Sequence, residues 1–265
     1  MTGQRAGKHV ETENESAPAR NIVLKLEYCG RDFQGWQIQA GGRTVQGVIK
    51  ENLEKVIRHE VNLIGAGRTD SGVHALAQYA NFRTSNPVAI GQIKHKLNQL
   101  LPDDIVIMDC WEATPQFDAR RSAVERQYAY LICERPSAIK RHLTWVLGRK
   151  LDRGMLDQMA AVVMRGRNFR NFCKSKSLKE NSDCRVMSAS WRRRNGLLRF
   201  EITADRFLHN MVRLLVGTMV SVLDGAITMR QFEKAVLAEI NEKAKYIAPA
   251  CGLYLAAVKY ERGIR

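Results

Sequence analysis

Gly65-Ala66-Gly67-Arg68-Thr69-Asp70-Ser71-Gly72-Val73-His74-Ala75 is the run around which the chain is organised. An apolar, β-leaning approach (Val61, Leu63, Ile64) precedes it and a strand-like run from Gln78 to Phe82 follows, so it reads as a tight loop carried between two strands. Its three glycines permit close backbone approach and positive φ. A carboxylate at the centre of such a bend admits two readings. With Thr69 and Ser71 able to donate hydrogen bonds to it, Asp70 is an orientable nucleophile or base. Equally, Asp and Gly are ordinary turn residues, and Asp70 then only closes a bend.

The glycines do not form a phosphate cradle. No Lys-Ser or Lys-Thr follows a four-residue spacer, and Asp70 stands where a dinucleotide fingerprint requires Gly or Ala.

Working outward, Ile22 to Tyr28 reads as a strand from its branched and aromatic content, and residues 1 to about 20 as a polar, disordered tail. The loop Cys29 to Gln39 mixes Phe33, Trp36, Arg31 and amides, a blend suited to stacking on bases, although both aromatics could fold back onto the core. Apolar residues at Val48, Ile49, Leu53, Val56 and Ile57 predict a helix over 45–58, and a second helix is predicted over 90–100. With a returning strand at Ile105 to Met108, these passages indicate an α+β sheet with helices on one face. A boundary near Thr114-Pro115 divides it from a second half.

That half begins with Phe117-Asp118-Ala119-Arg120-Arg121-Ser122-Ala123. Extended from Glu125 to Ile132, it points Arg126, Tyr128 and Tyr130 to one face, a platform for a nucleobase and its phosphate or an ordinary half-buried strand. Arg135, Lys140, Arg141, His142, Arg149, Lys150 and Arg153 bracket Trp145 as a basic belt. A helix is predicted over 151–164, a flexible loop over 174–184, and a hairpin through Asn195-Gly196. The run Phe207 to Val220 is apolar nearly all round and predicts a buried helix whose polar stripe is Asn210, Arg213 and Gly217. A buried guanidinium needs an anion. Asp70 in a bidentate pair is the expected partner, with Asp205 and Glu201 as alternatives. The chain closes on a strand after Pro249-Ala250-Cys251-Gly252-Leu253-Tyr254-Leu255, where Leu255 reads as core.

Composition bounds the function. At 265 residues and 45% hydrophobic content the chain folds around a sizeable core, and a formal charge of +15 makes a polyanion the expected partner. Six cysteines without a C-x-x-C pair, and six dispersed histidines, predict reduced thiols, a cytoplasmic location and no metal. No membrane-length apolar run is present.

Several blocks then coincide. Gly67 to Ala75 resembles the active-site signature of the TruA family of tRNA pseudouridine synthases. Tyr28 to Gln37, Phe117 to Tyr130, Phe207 to Gly217 and Pro249 to Val258 are similar to further blocks of that family, in its order. Gly166-Arg167-Asn168 departs from its pattern. The resemblance implies two ferredoxin-like subdomains (21–113 and 114–265) forming a continuous, mainly antiparallel sheet with a central cleft. It further implies isomerisation of uridine to pseudouridine in the tRNA anticodon stem-loop, no cofactor, and a homodimer on its tRNA. Its site residues fall on Asp70 (catalytic), Arg213 (orienting Asp70), Tyr128 (stacking on the uracil), and Arg68, Arg126, His74 and Leu255 (substrate binding). Two competing classes are a non-catalytic RNA-binding protein, disfavoured because Asp70, Tyr128 and Arg213 are all present, and a glycosidase or nuclease, which needs a second carboxylate or metal ligands.

Overall fold

The computed structural model describes residues 19–174 and 181–261. The expected N-terminal tail lies outside the described residues up to residue 18, as does most of the loop expected over 174–184, while Arg20 already opens the first strand.

The first half runs β1 (Arg20–Tyr28), α1 (Val45–Ile57), β2 (Ile64–Gly65), β3 (His74–Thr84), α2 (Ile90–Leu100) and β4 (Ile105–Ala113). The second runs β5 (Ala123–Cys133), β6 (Trp145–Val146), α3 (Arg153–Arg165), β7 (Val186–Arg194), β8 (Leu197–Ala204), α4 (Met211–Leu223), α5 (Met229–Val236) and β9 (Leu253–Tyr260). One sheet takes them in the order β4-β1-β3-β9-β5-β8-β7, with β2 added on β3 and β6 on β5. The first half is the βαββαβ connection of a ferredoxin-like unit, and the second repeats it with β6 and α5 added. Among the described residues every strand pairing is antiparallel except β5 with β6 and the seam between the halves, where His74 faces Tyr254 and Ala75 faces Leu255 on parallel strands.

Two apolar clusters fill the halves. The second is built on Trp191, Phe200 and the helix α4, and α3 packs on β7. The first holds Trp36, Phe82 and α1, and takes Phe117, Ala119, Leu255 and Val258 from beyond residue 113. Strand β9 feeds both, because Leu253 belongs to the second cluster. Val73, in the turn after Asp70, also packs into the second cluster and so pins that turn across the seam.

At two helices the structure departs from the sequence expectation by more than two residues, and the short strand β6 is also unexpected. The apolar helix begins at Met211 rather than Phe207, because Asn210 is left-handed at φ 62° and the Met211 amide donates to Leu208 O in a preceding turn. Helix α5 was not anticipated; Thr228 and Gln231 close it with a reciprocal capping box.

Candidate active site

The Asp70 turn is framed by the loop that follows β1. The Trp36 amide donates to Thr69 O at 3.1 Å, the Gly72 amide to Phe33 O at 3.2 Å, and the Ser71 hydroxyl to the same carbonyl at 3.2 Å. The Thr69 hydroxyl pairs with the Tyr28 hydroxyl at 2.7 Å. Thr69 and Ser71 thus hold the turn from outside; the expectation that they orient the carboxylate is corrected. Phe33 and Trp36 are buried and take the core alternative, with the Arg43 guanidinium 4.0 Å over the Phe33 ring. Gly72 has the positive φ a turn requires, at 77°. Gly65 is needed for another reason, since a Cβ there would stand 2.4 Å from the Trp36 ring.

Asp70 meets one residue of the first turn of α4 and one that stands just before that helix. Arg213 Nη1 lies 3.4 Å from Asp70 Oδ2, and His209 Nε2 lies 3.3 Å from Oδ1. The arginine contact is single rather than bidentate. Its Nε donates to Ala248 O at 2.9 Å, and Nη1, the same nitrogen that contacts the carboxylate, also donates to Asn210 Oδ1 at 2.9 Å, so the fork is oriented by these partners and reaches Asp70 through Nη1 alone. The alternative anions are engaged elsewhere: Asp205 accepts from the Arg185 and Arg206 amides, and Glu201 pairs with Arg192 and Arg199. Sequence reasoning misses His209: it stands four residues before Arg213, but α4 starts only at Met211 after the left-handed Asn210, so no helical spacing places it. The Lys174 amide, at the end of the stretch that follows α3, donates to His209 O at 3.3 Å.

Tyr128 is half-buried, its ring edge-on to Phe207 with centroids 4.9 Å apart. Burial, then the charge of Asp70, pushes its phenol well above the ordinary value, with Arg126 opposing, so it stays neutral through the physiological range. The three-residue platform does not form. Tyr130 is wholly buried and donates to Pro249 O at 2.7 Å, and Arg126 spends its guanidinium on four carbonyls, those of Ala66, Arg120, Ala123 and Asp205. Arg126 is therefore a staple that ties β5 to the strand entering the Asp70 turn.

The remaining expected residues separate. Arg68 is exposed beside Asp70. His74 is buried: its Nδ1 accepts the Gly30 amide at 3.1 Å and its ring stacks on Tyr254 with centroids 4.7 Å apart. Burial lowers its pKa, against nearby Cys251 and His142 backbone. Leu255 is wholly buried opposite Tyr128 across the β5–β9 pairing. Ala250 packs at Gly72, and a groove of 640 Å³ lined by Arg141, Trp145, Pro249 and Cys251 lies on that side. From the basic belt, Arg149 pairs with Asp224 and Arg153 with Asp157. Among the described residues no three metal-binding side chains converge, and no helix is long and apolar enough to cross a membrane.

A family model described as tRNA pseudouridine synthase matches residues 26–120 and 160–261 of the chain. The chain belongs to the tRNA pseudouridine synthase family. A tRNA pseudouridine synthase A of Chlorobium luteolum is 40% identical over 243 residues, covering 91% of this chain and 96% of the relative. One of Acetivibrio thermocellus is 38% identical over 243 residues, covering 91% and 100%. As a pseudouridine synthase of this family, the protein is an isomerase acting on tRNA. Asp70 lies in the first matched segment and His209 and Arg213 in the second; Tyr128 and Arg126 lie between the two.

Proposed function

We propose that this synthase isomerises uridines of the tRNA anticodon stem-loop, with Asp70 as the carboxylate that acts on the ribose. The observation that carries the reading is the setting of Asp70: a carboxylate on a braced turn at the seam of the two halves, partly open to solvent and contacted by a guanidinium that cannot shed its charge.

The chemistry is an isomerisation. The C1′–N1 bond breaks, the freed uracil turns, C1′–C5 forms, the C5 proton leaves and N1 takes one up. Asp70 begins the sequence either by attacking C1′ or by removing the C2′ proton; deuterium at C2′ slows only the second route. Arg213 holds the carboxylate aimed, and Tyr128 offers its ring to the displaced uracil. Taking the base out of its stack costs a few kcal/mol. Arg68 beside the turn offsets part of this by holding a phosphate or filling the vacated place.

The anticodon arm, a homodimer gripping one tRNA, and a cytoplasmic location rest on the family resemblance, and the surplus of positive charge fits the RNA partner. The test uses transcripts tritiated at uridine C5, which release tritium to water only as C5 bonds to C1′. Transcripts keeping uridine in the anticodon arm alone retain release on this reading, and loss of release overturns the arm assignment. Light scattering gives twice the chain mass of 30.1 kDa for a dimer.

A further inference from the structure

Asp70 is contacted on both oxygens, from one short segment. Arg213 Nη1 stands on Oδ2 and His209 Nε2 on Oδ1, at 3.4 and 3.3 Å. Arg213 cannot follow a turning carboxylate, because Ala248 O and Asn210 Oδ1 already fix it. The backbone under His209 is held as well, through the Lys174 amide and the left-handed Asn210. The two contacting groups differ in exposure: the Arg213 side chain is 16% exposed and that of His209 is 55% exposed. Of the two groups on the carboxylate, the imidazole is therefore the one more open to solvent.

We propose that His209 is a positioning residue for Asp70, its Nε2 holding Oδ1 so that the carboxylate presents one fixed direction to the sugar. The inference rests on Asp70 being the reacting group. A carboxylate torsion is broad and roughly two-fold. A single contact at 3.4 Å leaves both oxygens free to swing, and a second contact on the other oxygen removes that freedom. Placement matters at this scale, since a shift of about 1 Å at a reacting group costs on the order of a hundredfold in rate.

The experiment measures kcat and KM for tRNA with His209→Leu and His209→Gln. Glutamine carries an amide nitrogen that reaches the position of the imidazole Nε2 and donates there; leucine fills the space without a donor. The expected result is a fall in kcat of about tenfold to a hundredfold for His209→Leu, with KM and Tm unchanged, and recovery of most of kcat in His209→Gln. Wild-type kcat in His209→Leu, an effect confined to KM, or equal loss in both variants overturns the proposal. Asp70→Asn is run alongside. If it is inactive while His209→Leu turns over normally, positioning fails and the parent reading stands; if it is active, the parent reading fails too.

Discussion

Gly217 lies one helical turn beyond Arg213, and a Cβ at Gly217 would stand 2.4 Å from Tyr246 O and 2.8 Å from the Ala248 amide. The missing side chain lets the segment before β9 cross α4 in contact, and that crossing delivers Ala248 O to Arg213 Nε while the Ala248 amide donates to Arg213 O at 3.0 Å. Gly217→Ala should therefore cost about 1–3 kcal/mol as overpacking. Thermal unfolding should show a Tm lower by several degrees, and the displaced carbonyl should lower kcat as well.

Arg213→Lys keeps the charge and loses the fork. An ammonium can stand near Asp70 or near Ala248 O, not at both angles, and one partner is left unpaired in a buried place. The expected result is a kcat lower by on the order of a hundredfold, with tRNA affinity in a filter-binding assay close to wild type.

Glu134 gives the second half a buried ion pair. Its carboxylate accepts from Arg193 Nε at 2.8 Å, Arg193 Nη2 at 2.9 Å and the Leu151 amide at 2.9 Å. Burial would raise its pKa, but the Arg193 hydrogen bonds, the Leu151 amide and nearby charges outweigh it and the net shift is downward. A depressed folded value means stability present above the ordinary carboxyl range and lost as pH falls through the folded value. Glu134→Gln should cost about 2–3 kcal/mol at neutral pH, and chemical denaturation in acid should show that deficit narrowing.

His74 acts in the opposite half with its own sign. Protonation at Nδ1 would end acceptance from the Gly30 amide, and burial holds the folded pKa below the ordinary 6.5. The unfolded chain then takes up a proton before the folded one does, so stability is whole above about pH 6.5 and falls as pH drops toward the folded value. Urea midpoints measured at about pH 7 and about pH 5.5 should decline in the wild type, and decline less in His74→Gln from a lower start.

What could be read in advance was local chemistry. Helix α2 and the Asn195-Gly196 hairpin follow from spacing and from residues that accept positive φ. The sequence alone starts α4 too early because Phe207 and Leu208 continue its apolar pattern, whereas the left-handed Asn210 and the turn before it appear only in the fold. Thr69 and Ser71 flank Asp70 in sequence yet bond Tyr28 and Phe33, partners that only the folded loop supplies. The Arg213 pairing was legible because a buried charge demands an anion; its single contact was not, since Ala248 O arrives from a distant segment. Arg126 looked available for phosphate, and its four carbonyl partners appear only in the fold.

The most direct measurement follows tritium release from C5-tritiated tRNA by the wild type and by Asp70→Asn, with binding of the same tRNA and free uracil recorded in parallel. The account predicts release by the wild type without free uracil, and for Asp70→Asn no release with tRNA still bound. Release by Asp70→Asn at the wild-type rate, or uracil set free by the wild type, would contradict it.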